Sequence, residues 1–451
     1  MRIARIARIN CIVLLAILGF PTYAQAVTTA AQDESDVSEA LLENVDADEV
    51  VAVDRAGDGE PANPDNAVLS DAVDAVSGSL DDSVGSIDAG RETRGQKILG
   101  DLRVGYTYTD EDSRDASDQS VSEWRGRFRA GGTYSITEKL VFGGRIASTC
   151  STDACDPEFV FDSTLPNSSS IDHGDITFDQ LYIHSFRREK FDVAIGRLQT
   201  KFVSRAGVFA KSLDRNDSNG SNVNWTDGVH GILHVNKDWT GHLILQKNHA
   251  DGTGNVRRGP IDFEDDGSRI TYFLAWENKR RFGPINQQGF DITYMPRSLM
   301  KDGDRNGRIE DYIGFVGRFA ANWPLGSFGR HLNIAGEIGY APETPTRAAM
   351  GLAGNGDTDG FAWLVSVSVV DFRPDHSVGI NYGRTDAGWL LSPQYRENEE
   401  VVEIRYMWRR SLNLAIDIRA RWREELEQLE NTVRNRQELN VFARFTFGFG
   451  Y

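Results

Sequence analysis

Apolar and polar residues alternate along most of this chain. From Lys97 onward the alternation runs for roughly 8–14 residues at a time, and residues typical of turns then interrupt it. DLRVGYTYT (Asp101–Thr109) and SLNLAIDIRARW (Ser411–Trp422) are two of about sixteen such runs. A period of two is typical of β-strands with one apolar and one polar face, so the sequence predicts an all-β fold.

The connections between these runs alternate in length. Long connections fall near residues 110–120, 150–175, 200–224, 249–267, 341–359 and 424–434, and short ones near 135–138, 188–189, 236–238, 372–375 and 410–411. This alternation is typical of a membrane meander with short periplasmic turns and long outer loops. We therefore predict a closed antiparallel transmembrane β-barrel of about sixteen strands over residues 97–451.

The last run supports closure of the sheet. NVFARFTFGFGY (Asn440–Tyr451) places Val441, Ala443, Phe445, Phe447 and Phe449 on one face. An apolar strand of this kind with an unpaired edge is an aggregation hazard in water. If the last strand pairs with the first, its edge is no longer unpaired, and its apolar face can contact lipid.

The residues before the barrel have a different composition. Arg2, Arg5 and Arg8 precede an apolar core and the small-residue site Ala24–Ala26, so residues 1–26 are predicted to be a secretory signal peptide. Residues 27–96 contain 18 Asp or Glu residues, three Arg residues and no aromatic residue. This composition predicts an acidic, disordered periplasmic segment, either a solvated tail or a tether to something cationic. It contributes most of the net charge of −18.

Cleavage of the signal would leave two cysteines, Cys150 and Cys155. Because export implies an oxidising compartment, we predict a disulfide between them rather than a metal pair.

Several local motifs resemble the outer-membrane porins of Gram-negative bacteria. FDVAIGRLQTKF (Phe191–Phe202) is similar to the strand end before the constriction loop of many porins, including phosphate-selective ones. WTDGVHGILHV (Trp225–Val235) resembles the strand that follows that loop, and the terminal Phe-Gly-Phe-Gly-Tyr resembles porin C-termini. The resemblance implies outer-membrane lipid as surroundings, a homotrimer, and recognition of the terminal strand by the barrel-assembly machinery.

Arginines are predicted to line the lumen, since an arginine facing lipid near the midplane costs about 2–4 kcal/mol. They fall on the first three and last three predicted strands, which a closed barrel brings together: Arg103, Arg125, Arg127, Arg129, Arg145, Arg405, Arg419, Arg421 and Arg444. Such a wall favours small anionic solutes. The alternative is a general pore for polar solutes, in which carboxylates such as Glu337 and Glu403 balance the arginines.

The connection at residues 201–224 is the candidate constriction loop. It contains Lys201, Arg205, Lys211 and Arg215. The alternative is a surface loop that never folds inward.

A second connection, DGDRNGRIED, resembles the start of a calcium loop at Asp302, Asp304 and Asn306, but its position 12 is Ile313 rather than Glu. A polar outer loop is the other interpretation of this stretch.

No enzyme, cofactor or nucleic-acid partner is predicted. The sequence has no phosphate-binding glycine loop, zinc signature or nucleophile elbow. His230, His234 and His242 should lie on one hairpin, with His234 and His242 as diagonal neighbours. The leading function is a passive diffusion channel, and the alternative is a plugged or structural barrel that acts as an adhesin or receptor.

Overall fold

The computed structural model of the chain describes residues 96–161, 171–188, 190–217, 223–248, 259–263, 270–326, 330–411 and 413–450. The predicted signal peptide and nearly all of the acidic segment lie outside these residues. Across the residues that are described, no helix is long and apolar enough to cross a membrane.

Sixteen strands close into one antiparallel barrel. The described part of the chain forms these strands: β1 (Gln96–Asp112), β2 (Asp118–Thr137), β3 (Leu140–Ser151), β4 (Ile176–Arg188), β5 (Phe191–Leu198), β6 (Lys201–Ala206), β7 (Phe209–Asn216), β8 (Thr226–His234), β9 (Trp239–Lys247), β10 (Ile270–Asn278), β11 (Ile285–Met300), β12 (Ile309–Pro324), β13 (His331–Tyr340), β14 (Phe361–Arg373), β15 (His376–Thr385), β16 (Glu399–Ser411), β17 (Leu414–Glu425) and β18 (Gln437–Gly450). Every strand except β6 and β7 belongs to the barrel wall. The predicted fold class and strand number are confirmed.

The first and last strands close the sheet. Leu99 pairs with Gly450 at one end of the β1–β18 ladder, and Asp112 pairs with Gln437 at the other. Gly100 makes room for the aromatic ring of Phe449, because a Cβ at Gly100 would overlap that ring. Closure leaves neither terminal strand with an open edge, as the apolar C-terminal run predicts.

The short and long connections alternate around the barrel, so each kind gathers at its own end. The chain enters β1 and leaves β18 at the end with the short connections, such as 138–139 between β2 and β3. The connection between β1 and β2 is shorter than predicted, at residues 113–117 rather than 110–120, because both strands extend further.

Large apolar side chains cover the outside of the barrel. Leu102, Val104, Tyr106 and Tyr108 of β1 are each about two-fifths exposed, and Trp124 of β2 is 58% exposed. The residues between them along each strand are buried inside. An exposed apolar surface that surrounds the whole sheet is typical of contact with lipid.

Candidate functional site: the barrel lumen

The hairpin β6–β7 lies inside the barrel. It leaves the wall after β5, and β5 pairs directly with β8 across the gap. Gly207 occupies its tip with φ 60°, and all of β7 is buried. This hairpin forms most of the connection at residues 201–224, where the sequence predicts a candidate constriction loop and the structure has a pair of strands.

Wall residues hold the hairpin through its backbone. Glu337 on β13 accepts hydrogen bonds from the backbone N–H groups of Ser204 (3.0 Å) and Leu213 (2.7 Å). Ser368 on β14 donates its hydroxyl to the carbonyl of Ala206 (2.6 Å). These contacts fix both strands of the hairpin against β13 and β14.

Ion pairs hold the hairpin at its sides. The Lys211 ammonium lies 2.9 Å from Glu403 Oε2 on β16. Arg318 on β12 forms an ion pair with Asp291 and lies within 3.5 Å of both Asp214 on the hairpin and Glu337. Because buried charges need opposite partners, these pairs determine where the hairpin rests.

A polar network holds the base of the hairpin. The Asp217 carboxylate accepts hydrogen bonds from the backbone and hydroxyl of Thr200 and from the hydroxyl of Thr226. Arg215 donates to Thr226 Oγ1 (3.0 Å) and to Gln246 Oε1 on β9 (2.9 Å). Of the four predicted cationic loop residues, Lys211 and Arg215 are therefore buried, whereas Lys201 and Arg205 are half-buried.

A second inward segment, residues 386–398 between β15 and β16, packs on the hairpin. Trp389 donates its indole N–H to the carbonyl of Leu213 (3.0 Å), and Gln394 Oε1 accepts from the backbone N–H of Ser212 (2.9 Å). Trp389 and Tyr395 are 0% and 1% exposed. This segment was not predicted from the sequence, although the apolar run Trp389–Leu391 within a connection is a usable signal.

The predicted lumen arginines form one continuous wall. They lie on the adjacent strands β16, β17, β18, β1, β2 and β3, all buried on the inner face. We call this surface the arginine wall. It comprises the nine arginines named in the sequence analysis and Arg423 of β17: Arg103, Arg125, Arg127, Arg129, Arg145, Arg405, Arg419, Arg421, Arg423 and Arg444. Arg103 pairs in register with Arg127, and Arg405 with Arg419.

Carboxylates are interspersed in and beside the arginine wall. Asp101 lies 2.9 Å from Arg127, and Asp179 on β4 lies 2.7 Å from Arg145. Asp417 lies 3.2 Å from Arg444. The wall thus contains both ion pairs and pairs of like charge. Its residues are therefore compatible with an anion-preferring pore and with a general pore.

Comparison with known proteins agrees with this architecture. No family model and no curated protein matches the chain. Among solved structures, OprB of Pseudomonas putida shares 12% identity, with 79% of this chain and 94% of that chain covered and a TM-score of 0.54. The fold is that of an outer-membrane porin.

Two further solved structures are similar at lower TM-scores. The outer membrane channel DcaP of Acinetobacter baumannii shares 10% identity, with 80% of this chain and 99% of that chain covered and a TM-score of 0.49. The anion-selective porin from Comamonas acidovorans shares 9% identity, with coverages of 78% and 100% and a TM-score of 0.48.

The other candidate sites lie apart from the hairpin contacts. Cys150, near the end of β3, and Cys155, in the connection that follows, form a disulfide with their Cα atoms 4.7 Å apart. The calcium candidates lie in the turn between β11 and β12, where Asp304 accepts the backbone N–H of Asn306 and Asp302 lies 3.8 Å from Arg308. Within the described residues no three His, Cys, Asp or Glu side chains converge on a metal position.

The histidines pair differently from the expectation. His230 and His242 are the diagonal neighbours, with 3.1 Å between Nε2 and Nδ1, and His242 lies 3.5 Å from Glu277. His234 instead lies 2.8 Å from Asp192. Both diagonals are compatible with the β8–β9 register, and Phe202 of the hairpin lies beside the observed pair.

Proposed function

We propose that this chain is an outer-membrane porin: a passive diffusion channel for small hydrophilic solutes, with a preference for anions. The arginine wall is the observation that carries the proposal. It lines a sixteen-stranded barrel, and barrels of that size enclose a lumen that side chains alone do not fill.

The preference for anions follows from charge and geometry. Guanidinium groups suit carboxylate and phosphate oxygens, and a basic lining between low-dielectric walls concentrates anions. We propose that the hairpin and the second inward segment narrow the lumen, while the arginine wall sets its field. Solutes cross down their own gradients, so the function is transport rather than catalysis.

The likeness to OprB supports the fold, and the remaining features are proposals from the sequence. We propose a cleaved signal peptide at residues 1–26, a periplasmic acidic segment, and insertion by the barrel-assembly machinery through the C-terminal strand. We also propose a homotrimer. Mass spectrometry of the exported protein should place its N-terminus near Val27, and native mass spectrometry should give three copies.

A plugged barrel is the second candidate function. The specific observation in its favour is the low accessibility of the wall: Arg103 is 2% exposed, and Arg127 and Arg419 are each 1% exposed. The side chains that line an open aqueous channel are expected to be accessible to water.

Single-channel recording distinguishes the two functions. The purified full-length mature protein is placed in a planar bilayer with a KCl gradient, and its conductance and reversal potential are measured. Conductance steps with an anion-favouring potential are expected. A cation-favouring potential would contradict the anion preference. The absence of any conductance from protein that is shown to be folded would contradict the channel.

A further inference from the structure

Exposed cations gather at the end of the barrel with the short connections. They lie on four successive turns, at residues 235–238, 279–284, 325–330 and 371–376. We call these residues the basic arc: Lys237, Lys279, Arg280, Arg281, Arg330 and Arg373. Carboxylates are fewer in the described part of the same four turns: Asp238, Asp371 and Asp375. The basic arc therefore has a net positive charge.

Most cations of the basic arc have no anionic partner within the described part of the chain. Only Arg330 has a carboxylate within 4.0 Å, that of Asp371 at 3.7 Å. Cations on the long connections at the opposite end are paired more closely, as Arg305 is with Asp262 at 2.7 Å. The basic arc is thus available to an anion from outside the chain.

Exposed aromatic side chains place the basic arc at the membrane surface. Phe282 directly follows Arg281 and is 47% exposed, and Trp239 follows Lys237 by two residues and is 41% exposed. The guanidinium of Arg280 lies 5.2 Å from the centre of the Phe282 ring. Aromatic rings of transmembrane barrels form girdles at the level of the lipid headgroups. The cations beside them therefore lie within reach of headgroup phosphates.

The spacing of the turns makes their charges act together. Each turn is two strands from the next, so successive turns lie about 10 Å apart at ~4.8 Å between strands. This separation is close to the Debye length of about 8 Å at physiological salt. The arc therefore presents a continuous positive field along its part of the rim.

We propose that the basic arc binds the phosphates of anionic phospholipids in the leaflet at this end of the barrel. The guanidinium groups of Arg280 and Arg281 suit phosphate oxygens, and the neighbouring rings hold the turn at headgroup depth. The inference requires a barrel in a membrane, but it does not require a lumen that conducts.

The test measures lipid preference in vesicles of equal parts phosphatidylglycerol and phosphatidylcholine. The purified protein is reconstituted with a trace of either lipid carrying a spin label, and electron spin resonance gives the fraction of that lipid held at the protein. The wild type should prefer phosphatidylglycerol at 0.1 M NaCl, where the Debye length is ~10 Å, and lose most of that preference at 1 M, where it is ~3 Å. No preference at either salt concentration would overturn the proposal.

A matched pair of variants locates the preference. Arg280→Gln with Arg281→Gln removes two cations from the basic arc and should lower the preference for phosphatidylglycerol at least about two-fold. Arg305→Gln with Arg308→Gln removes two cations that already lie beside carboxylates on a long connection, and should leave the preference unchanged. Equal losses in the two variants would overturn the proposal.

A third variant separates lost charge from damage to the turn. Arg280→Lys with Arg281→Lys keeps both charges and should retain most of the preference. A loss as large as that of the glutamine variant would overturn the proposal.

An acidic protein is the other partner that this charge could bind, and polyglutamate is the probe for it. Polyglutamate binding that is lost in the glutamine variant, in a protein without any preference for phosphatidylglycerol, would assign the basic arc to such a partner and overturn the lipid proposal.

Discussion

Lys211 at the inner hairpin and Glu403 on β16 join the hairpin to the barrel wall, with 2.9 Å between Nζ and Oε2. Glu403 also pairs with Arg405 at 2.8 Å. The contact is therefore part of a larger charged cluster, and it bridges the lumen from the hairpin to the arginine wall.

Replacing Lys211 tests whether this bridge sets the size limit. Lys211→Met should loosen the side of the hairpin next to β16 and raise both the single-channel conductance and the largest sugar that enters proteoliposomes. We expect a loss of stability below the roughly 3–5 kcal/mol that breaking an isolated buried ion pair costs, because Glu403 keeps Arg405 as a partner. Lys237→Met, at an exposed turn, is the control and should change neither quantity. An unchanged size limit would show that the bridge does not constrain the lumen.

The arginine wall should determine charge selectivity. Arg127→Gln and Arg419→Gln together remove two buried cations, so the reversal potential in a KCl gradient should move toward the cation side. Arg330→Gln, at an exposed turn of the short-connection end, serves as the control. A reversal potential that stays constant in the double variant would mean that other charges set the selectivity.

Glu337 accepts hydrogen bonds from both strands of the hairpin. Replacing its side chain should therefore destabilise the folded protein more than the loss of a single hydrogen bond would. Glu337→Ala leaves two buried backbone N–H groups unsatisfied, and each hydrogen bond to a charged group contributes about 1.5–3 kcal/mol. Thermal unfolding in detergent should shift to a clearly lower temperature, and the channel current should become noisier. Glu337→Gln keeps one acceptor oxygen and should lie between Glu337→Ala and the wild type.

Gly207 at the tip of the hairpin offers a matched pair of glycine variants. An alanine there would adopt φ 60° and place its Cβ 2.7 Å from both Ser368 and Val370. Gly326 has φ 64°, but among the described residues no atom lies within 4 Å of the position that a Cβ would take there. Both alanine variants bear the backbone cost of about 1–2 kcal/mol, and only Gly207→Ala should also displace the tip and alter conductance.

Equal effects of the two glycine substitutions would contradict the prediction that the tip position limits flow. If Gly207→Ala and Gly326→Ala lower the unfolding temperature equally and leave conductance unchanged, the tip is free to move away from β14 and its position does not limit flow.

The barrel was predictable from sequence because its signal is local and repeated. A period of two is visible within each strand, and Leu102, Val104 and Tyr106 mark the lipid face without knowledge of any partner. Predicting the arginine wall required one further inference, namely that the first strand pairs with the last.

The interior was less predictable because it depends on convergence in space. Leu213 of the hairpin meets Trp389 across 176 residues of sequence, and no local periodicity encodes that contact. The same holds for His230 and His242, because the register allows two diagonals and the pair that forms lies beside Phe202 of the distant hairpin. An irregular segment that is buried inside a barrel has only a weak signal in the sequence, such as apolar residues within a connection.

The β1–β18 ladder has a consequence for the order of folding. Every other pair of neighbouring wall strands is close in sequence, β5 and β8 included, so each can form as a local hairpin at a low cost in chain entropy. The pairing of Leu99 with Gly450 instead waits until both ends of the barrel sequence have been synthesised and brought together. The barrel therefore has a seam, and its position is set by the order in which the strands are joined along the chain rather than by the geometry of the sheet.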